Sequence, residues 1–155
     1  MTAQISEKAP TFSLPEAPGQ MVDVGEVIGT APVVLLFFPL AFSPVCTTEF
    51  CTFRDSWDEW ESIGAKVFGI SIDSPFVTAK FKESEHLPFP LLSDFNKEVA
   101  AMYGALHEDL MGLKGVAKRA AFVINRDGEI TYAWISDDPG VQVNFDDIKA
   151  AVEAV

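Results

Sequence analysis

The chain is short of cysteine, histidine, positive charge and long apolar runs, and each shortage removes a class of function. Among its 155 residues only two are cysteine, Cys46 and Cys51, and two are histidine, His86 and His107. Two cysteines so close together cannot make the disulfide framework of a small secreted protein. A C-x4-C pair with so few histidines also lacks the spacing of a structural zinc site, and no metal or organic cofactor is implied. Lys and Arg number 11 against 23 Asp and Glu, a formal net charge of −12. Such a surface repels phosphate backbones, and no basic stripe interrupts it, so nucleic acid is not an expected partner. The longest apolar run, Ala31 to Phe42, contains Pro32 and Pro39 and falls short of the ~20 residues that cross a bilayer, so no membrane association is expected. Met1 to Lys8 lacks the charged start and apolar stretch of a secretory leader, which makes a cytoplasmic, reducing location the default.

What is present is enough for one core. Hydrophobic residues make up 48% of the chain, and without a linker or repeat residues 1–155 read as one domain. Phe12 to Leu14 and Met21 to Val24, around Pro15, Pro18 and Gly19, predict a small N-terminal hairpin. Val33 to Phe38 is a continuous apolar run of the kind buried on both faces of a sheet. A helix follows, with Ser43 as N-cap, Pro44 at its first position and Gly64 past its end. Lys66 to Ile72 predicts a strand and Ser74 to Glu85 a helix, completing a βαβα pattern. Leu91 to Leu92 predicts a short strand, and Lys97 to Tyr103 a short helix ended by Gly104. Ala120 to Asn125 and Glu129 to Ile135 flank Arg126-Asp127-Gly128 as a hairpin, and Phe145 to Val155 predicts a last amphipathic helix. The fold class is therefore α/β, a central mixed sheet flanked by helices, with thioredoxin-like and flavodoxin-like folds both compatible with these elements.

The two cysteines need a chemical explanation. Cys46 falls at about the third helical residue, where unpaired backbone N–H groups and the positive end of the helix dipole favour a thiolate. At ~100° per residue it lies within one ~80° arc with Phe50, Phe53, Trp57 and Trp60, and so faces the apolar side. Cys51 sits ~140° away, and in an intact helix their Cα atoms are ~8.6 Å apart, beyond the ~7 Å reach of a disulfide. The pair can join only if the first turns unwind, which suggests a redox switch; two buried core cysteines are the plain alternative.

Pro39, Ser43 and Cys46 spell P-x-x-x-S-x-x-C, which resembles the peroxiredoxin active-site motif P-x-x-x-[T/S]-x-x-C. Ala9 to Leu14 (APTFSL) resembles that family's A-P-x-F-x-L opening, and Lys118 to Ile124 (KRAAFVI) its R-x-x-F-V-I strand, so the resemblance covers nearly the whole chain. Within the family, PLAFSPVC, Val67 to Ala79 and Phe89 to Phe95 look most like the AhpE-like branch. The C-x4-C spacing instead resembles the PrxQ (bacterioferritin comigratory protein) arrangement, in which the second cysteine resolves the first. The resemblance implies a thioredoxin-like fold and a thiol-dependent peroxidase that reduces hydrogen peroxide and organic hydroperoxides.

In that reading Cys46 becomes a sulfenic acid, Cys51 condenses with it to a disulfide, and an external dithiol protein, thioredoxin or glutaredoxin-like, reduces the pair. Arg119 matches the family arginine near the sulfur, Ser43 the hydroxyl that contacts peroxide, and Pro39 the shielding proline. The plain alternatives are an N-cap for Ser43 and a surface arginine for Arg119. Glu49 is a candidate for orienting Arg119, or else a solvated first-turn acid. Phe38, Phe42 and Phe50 are candidates for pocket walls, His86 and His107 are not expected to be catalytic, and the tryptophans belong to packing or a dimer face. A homodimer through loops near the site is implied by resemblance. Two rivals remain: a general thiol-disulfide oxidoreductase, which normally carries C-x-x-C, and a redox sensor or holdase without significant turnover.

Overall fold

A strand without a polar side chain must be covered on both faces, and Val33–Phe37 (β3) takes the central position that this demands. In the computed structural model, which describes residues 4–154, β3 lies in a five-stranded sheet of order β5-β4-β3-β6-β7. Here β4 is Lys66–Ser71, β5 Leu91–Ser93, β6 Arg119–Ile124 and β7 Ile130–Ser136. β3 pairs in parallel with β4 and antiparallel with β6. That antiparallel half separates the fold from an all-parallel flavodoxin-like sheet, and the fold is thioredoxin-like.

Alternation along β3 divides the core in two. Val33, Leu35 and Phe37 face one cluster, shared with the short helix α4 (Glu98–Met102) and with Phe12 and Leu14 at the N-terminal hairpin. That hairpin pairs Ser13–Ala17 (β1) with Gln20–Asp23 (β2). Val34, Leu36 and Phe38 face the other cluster, with Cys46, Phe50 and Phe53 of α1 (Pro44–Asp55) and Trp60 of α2 (Trp57–Ser62). Phe81 of α3 (Pro75–Glu85) and Ile148 of α5 (Phe145–Glu153) complete it. Full burial of a Phe side chain stabilises by about 1.5–3 kcal/mol, so Phe50 and Phe53, both at zero exposure, fasten α1 to the sheet.

One predicted helix proves to be two. The run from Pro44 toward Gly64 breaks at Ser56, whose backbone leaves the helical region (φ −111, ψ 19). Thr48, Thr52 and Ser56 each donate a hydroxyl to the carbonyl four residues back, at 2.9–3.0 Å. Such back-bonding competes with the helix ladder and bends it. Lys97 is likewise outside its helix, in the left-handed region (φ 66). The predicted last helix ends at Glu153, and Val155 and Met1 to Ala3 lie outside the described residues. Among the described residues no helix is long and apolar enough to cross a membrane.

Candidate active site

The β3–α1 connection is held in a conformation its sequence would not choose. Phe42 sits in the left-handed region (φ 67), a strain of about 1–3 kcal/mol for a bulky residue that neighbours must sustain. Asp73, just beyond β4, supplies one support: its Oδ2 accepts the Ala41 N–H at 2.8 Å and the Ser71 hydroxyl at 2.7 Å. Phe42 itself is half exposed and stacks edgewise on Phe81. The chain then enters α1 with Pro44 at its start, and Cys46 follows in the first turn.

Cys46 is completely buried, and Nη2 of Arg119 donates to its Sγ at 3.0 Å. A guanidinium has five N–H donors and no acceptor, so the sulfur can only receive. Arg119 opens β6, 73 residues from Cys46 in sequence, and is itself pinned. Its Nη1 donates to Glu49 Oε2 at 3.3 Å, while Nε and Nη2 donate to the Pro139 carbonyl at 3.2 and 3.0 Å. Glu49 Oε1 accepts the Val143 N–H at 3.1 Å. Cys46, Glu49 and Arg119 are each exposed by 1% or less. Burial pushes the Glu49 carboxyl above its ordinary pKa, against the opposing pull of Arg119 and the Val143 N–H. Glu49 is therefore a buried partner of Arg119, not a solvated first-turn acid.

Next to Cys46 in sequence, at Val45, and to its hydrogen-bond partner Arg119 lies an open cavity of about 250 Å³, whose walls include Pro39, Leu40, Ser43, Leu110, Met111 and Arg119 but not Cys46 itself. Pro39, Ser43 and Arg119 thus meet at one place, and the buried Cys46 reaches it through Arg119. Ser43 occupies the N-cap position, but its hydroxyl caps nothing and donates instead to the Leu40 carbonyl at 2.8 Å. Phe38, Phe42 and Phe50 are not walls of this cavity. Phe38 and Phe50 are fully buried and stack on each other at 4.6 Å in the core shared with Cys46: Phe50 lies on the same face of α1 as Cys46, and Phe38 continues the Val34 and Leu36 face of β3.

Cys51 faces elsewhere. It is half-buried, both cysteines are free, and its Sγ donates to Glu85 Oε2 at 3.4 Å. Burial and the Glu85 carboxylate push its thiol pKa up, with Arg54 opposing. His86 ends α3 in the left-handed region, and His107 is buried with no partner for Nε2. Burial and then Lys118 push the His107 pKa down, against the pull of Asp137. Trp60 packs on Phe53 and Trp57 on Phe89. Sequence reasoning did not find Pro139 and Val143, because they act through backbone atoms that leave no side-chain signature. Asp73 and Glu85 were missed because nothing local marks them. Among the described residues no group of three His, Cys, Asp or Glu is placed to hold a metal.

Comparison with known proteins finds relatives of the whole chain. The AhpC/TSA family pattern matches residues 5–133. Peroxiredoxin Bcp of Escherichia coli K12 is 38% identical over 129 residues, 81% of either chain. The crystal structure of peroxidoxin BcpB from Mycobacterium tuberculosis superposes with a TM-score of 0.86 at 32% identity, covering 99% of this chain and 98% of that one. The bacterioferritin comigratory protein of Xanthomonas campestris, described for its alkyl peroxide reduction activity, gives 0.79 at 26% identity, with 92% and 90% covered. The chain belongs to the AhpC/TSA family and is a thiol-dependent peroxidase of the peroxiredoxin kind.

Proposed function

We propose that Cys46 is the peroxidatic nucleophile and that Cys51 resolves it as an intramolecular disulfide. The 3.0 Å contact from Arg119 to Cys46 Sγ carries this reading. A fixed cation in a dry site stabilises negative charge on sulfur and needs no rearrangement during reaction. The thiolate attacks the terminal oxygen of a hydroperoxide in the cavity, the O–O bond breaks, and the departing alkoxide or hydroxide takes a proton. Of the five Arg119 donors, one on Nη1 has no protein acceptor among the described residues, and it is free for the peroxide oxygens. Ser43 lines the same space, and with its hydroxyl hydrogen donated to Leu40 its oxygen can still accept; Pro39 forms part of the wall.

The mainly apolar walls, Leu40, Val45, Leu110 and Met111 among them, suit organic hydroperoxides as well as hydrogen peroxide. Cys51 then attacks the Cys46 sulfenic sulfur, and a thioredoxin or glutaredoxin-like dithiol protein reduces the disulfide. Mass spectrometry of peroxide-treated protein tests the resolving step. The Cys46–Cys51 disulfide is the expected product; persistent sulfenic acid beside an untouched Cys51 thiol would mean a one-cysteine cycle.

A further inference from the structure

Cys51 is clasped by groups that the first oxidation does not use. Its S–H donates to Oε2 of Glu85, the last residue of α3. The Glu85 backbone carbonyl accepts from Arg54 Nη1 at 2.8 Å, and the same nitrogen lies 4.0 Å from Glu85 Oε2. Arg54 is steadied in turn by Asp55 at 3.0 Å. The last turn of α1 is thus buckled to the end of α3 through a carboxylate, a carbonyl and a guanidinium, and Glu85, Arg54 and Asp55 are the charged groups facing the sulfur.

We propose that Glu85, anchored by Arg54, is a positioning residue for the resolving step: it keeps Cys51 docked as a protonated thiol while α1 is folded and frees it as a nucleophile only when that turn unwinds. The inference rests on Cys51 acting as the resolving cysteine. A carboxylate acceptor requires the sulfur to be the donor, and a thiol reacts with peroxide far more slowly than a thiolate. Oxidant is thereby directed to Cys46 and kept from the second sulfur. Burial first, and Glu85 second, hold the Cys51 thiol above its ordinary range. The clasp is a partly exposed ion pair, worth little as glue, so its effect is on ionisation more than on holding the helix.

The helix is suited to release. PVCTTEFCTFRD is rich in Thr, Cys and β-branched residues of low helix propensity, and packing sustains it. Once away from Glu85, Cys51 loses its proton to solvent and attacks the Cys46 sulfenic sulfur. The S–S bond forms, the S–O bond breaks, and the leaving hydroxide takes up a proton to depart as water.

Iodoacetamide labelling of Cys51, measured across pH in Cys46→Ser protein with and without Glu85→Gln, tests the idea. The variant should move the labelling midpoint down by about half a pH unit, or roughly threefold faster labelling near neutrality. Equal acceleration at every pH would mean that Glu85 only braces the helix, and an unmoved profile would mean no role; either result overturns the proposal. Labelling uses no peroxide, so it judges Glu85 separately from the disulfide experiment, which judges Cys51 itself.

Discussion

Two positions along α1 place the same amino acid in opposite surroundings. Near its start, Cys46 is fully buried and receives a hydrogen bond from a guanidinium. Five residues later, Cys51 is half-buried and donates to a carboxylate. The first partner is a permanent cation held by Glu49 and the Pro139 carbonyl; the second is an acid at a helix end. What differs between the two sulfurs is the sign of the charge that the fold sets opposite each, and the proposed division into a reactive and a reserved cysteine rests on that difference. Arg119 and Glu49 come to Cys46 from a distant strand and from its own helix, which is why one site needs both the sheet and α1 intact.

That contrast can be broken in graded steps. Replacing Cys46 with Ser should reduce peroxide turnover to the uncatalysed level in a reductant-coupled assay, even with Cys51 present. Arg119→Met removes the cation and strands Glu49. The first oxidation should slow by about 10²–10³-fold, as when one preorganised donor is lost, and urea unfolding should show a loss of about 3–5 kcal/mol for the broken buried pair. Glu49→Gln weakens one charge-assisted hydrogen bond, about 1.5 kcal/mol or roughly tenfold in stopped-flow rate.

Cys51→Ser should leave the first oxidation intact and eliminate the disulfide seen by mass spectrometry. The Cys51 thiol pKa is raised in the folded protein, so its thiolate fraction at a given pH is lower than in the unfolded chain. Its labelling curve should accordingly lie at higher pH folded than in denaturant, and coincident curves would count against the contrast. Away from the sulfur, Asp73→Ala removes the acceptor of the Ala41 N–H; about 1–3 kcal/mol of stability should be lost, readable as a lower urea midpoint.

Much of this was legible in sequence because the signals were local. VVLLFF can only be a buried strand, and the three- and four-residue spacing of Phe50, Phe53, Trp57 and Trp60 turned Cys46 inward as the structure places it. The break at Ser56 was hidden because its cause, hydroxyls bonding back along the helix, depends on rotamers and not on pattern. Ser43 read as a side-chain cap, yet its hydroxyl turns to the Leu40 carbonyl, an alternative equally open to a short side chain. Glu49 was named as a partner for Arg119 with a solvated acid as the alternative, and only the tertiary fold, which brings together residues 70 apart, decides between them. The clasp on Cys51 joins two helices in the same way, and neither Glu85 nor Arg54 stands out in a sequence with 23 acids.

The central claim is that the setting of Cys46 makes it a peroxide-specific nucleophile. Stopped-flow tryptophan fluorescence of the reduced protein mixed with hydrogen peroxide, repeated with Arg119→Met, measures this directly. Oxidation of Cys46 far faster than that of a free cysteine, falling by about two orders of magnitude or more in the variant, is the predicted result. A rate equal to that of free cysteine, or one indifferent to Arg119, would contradict it.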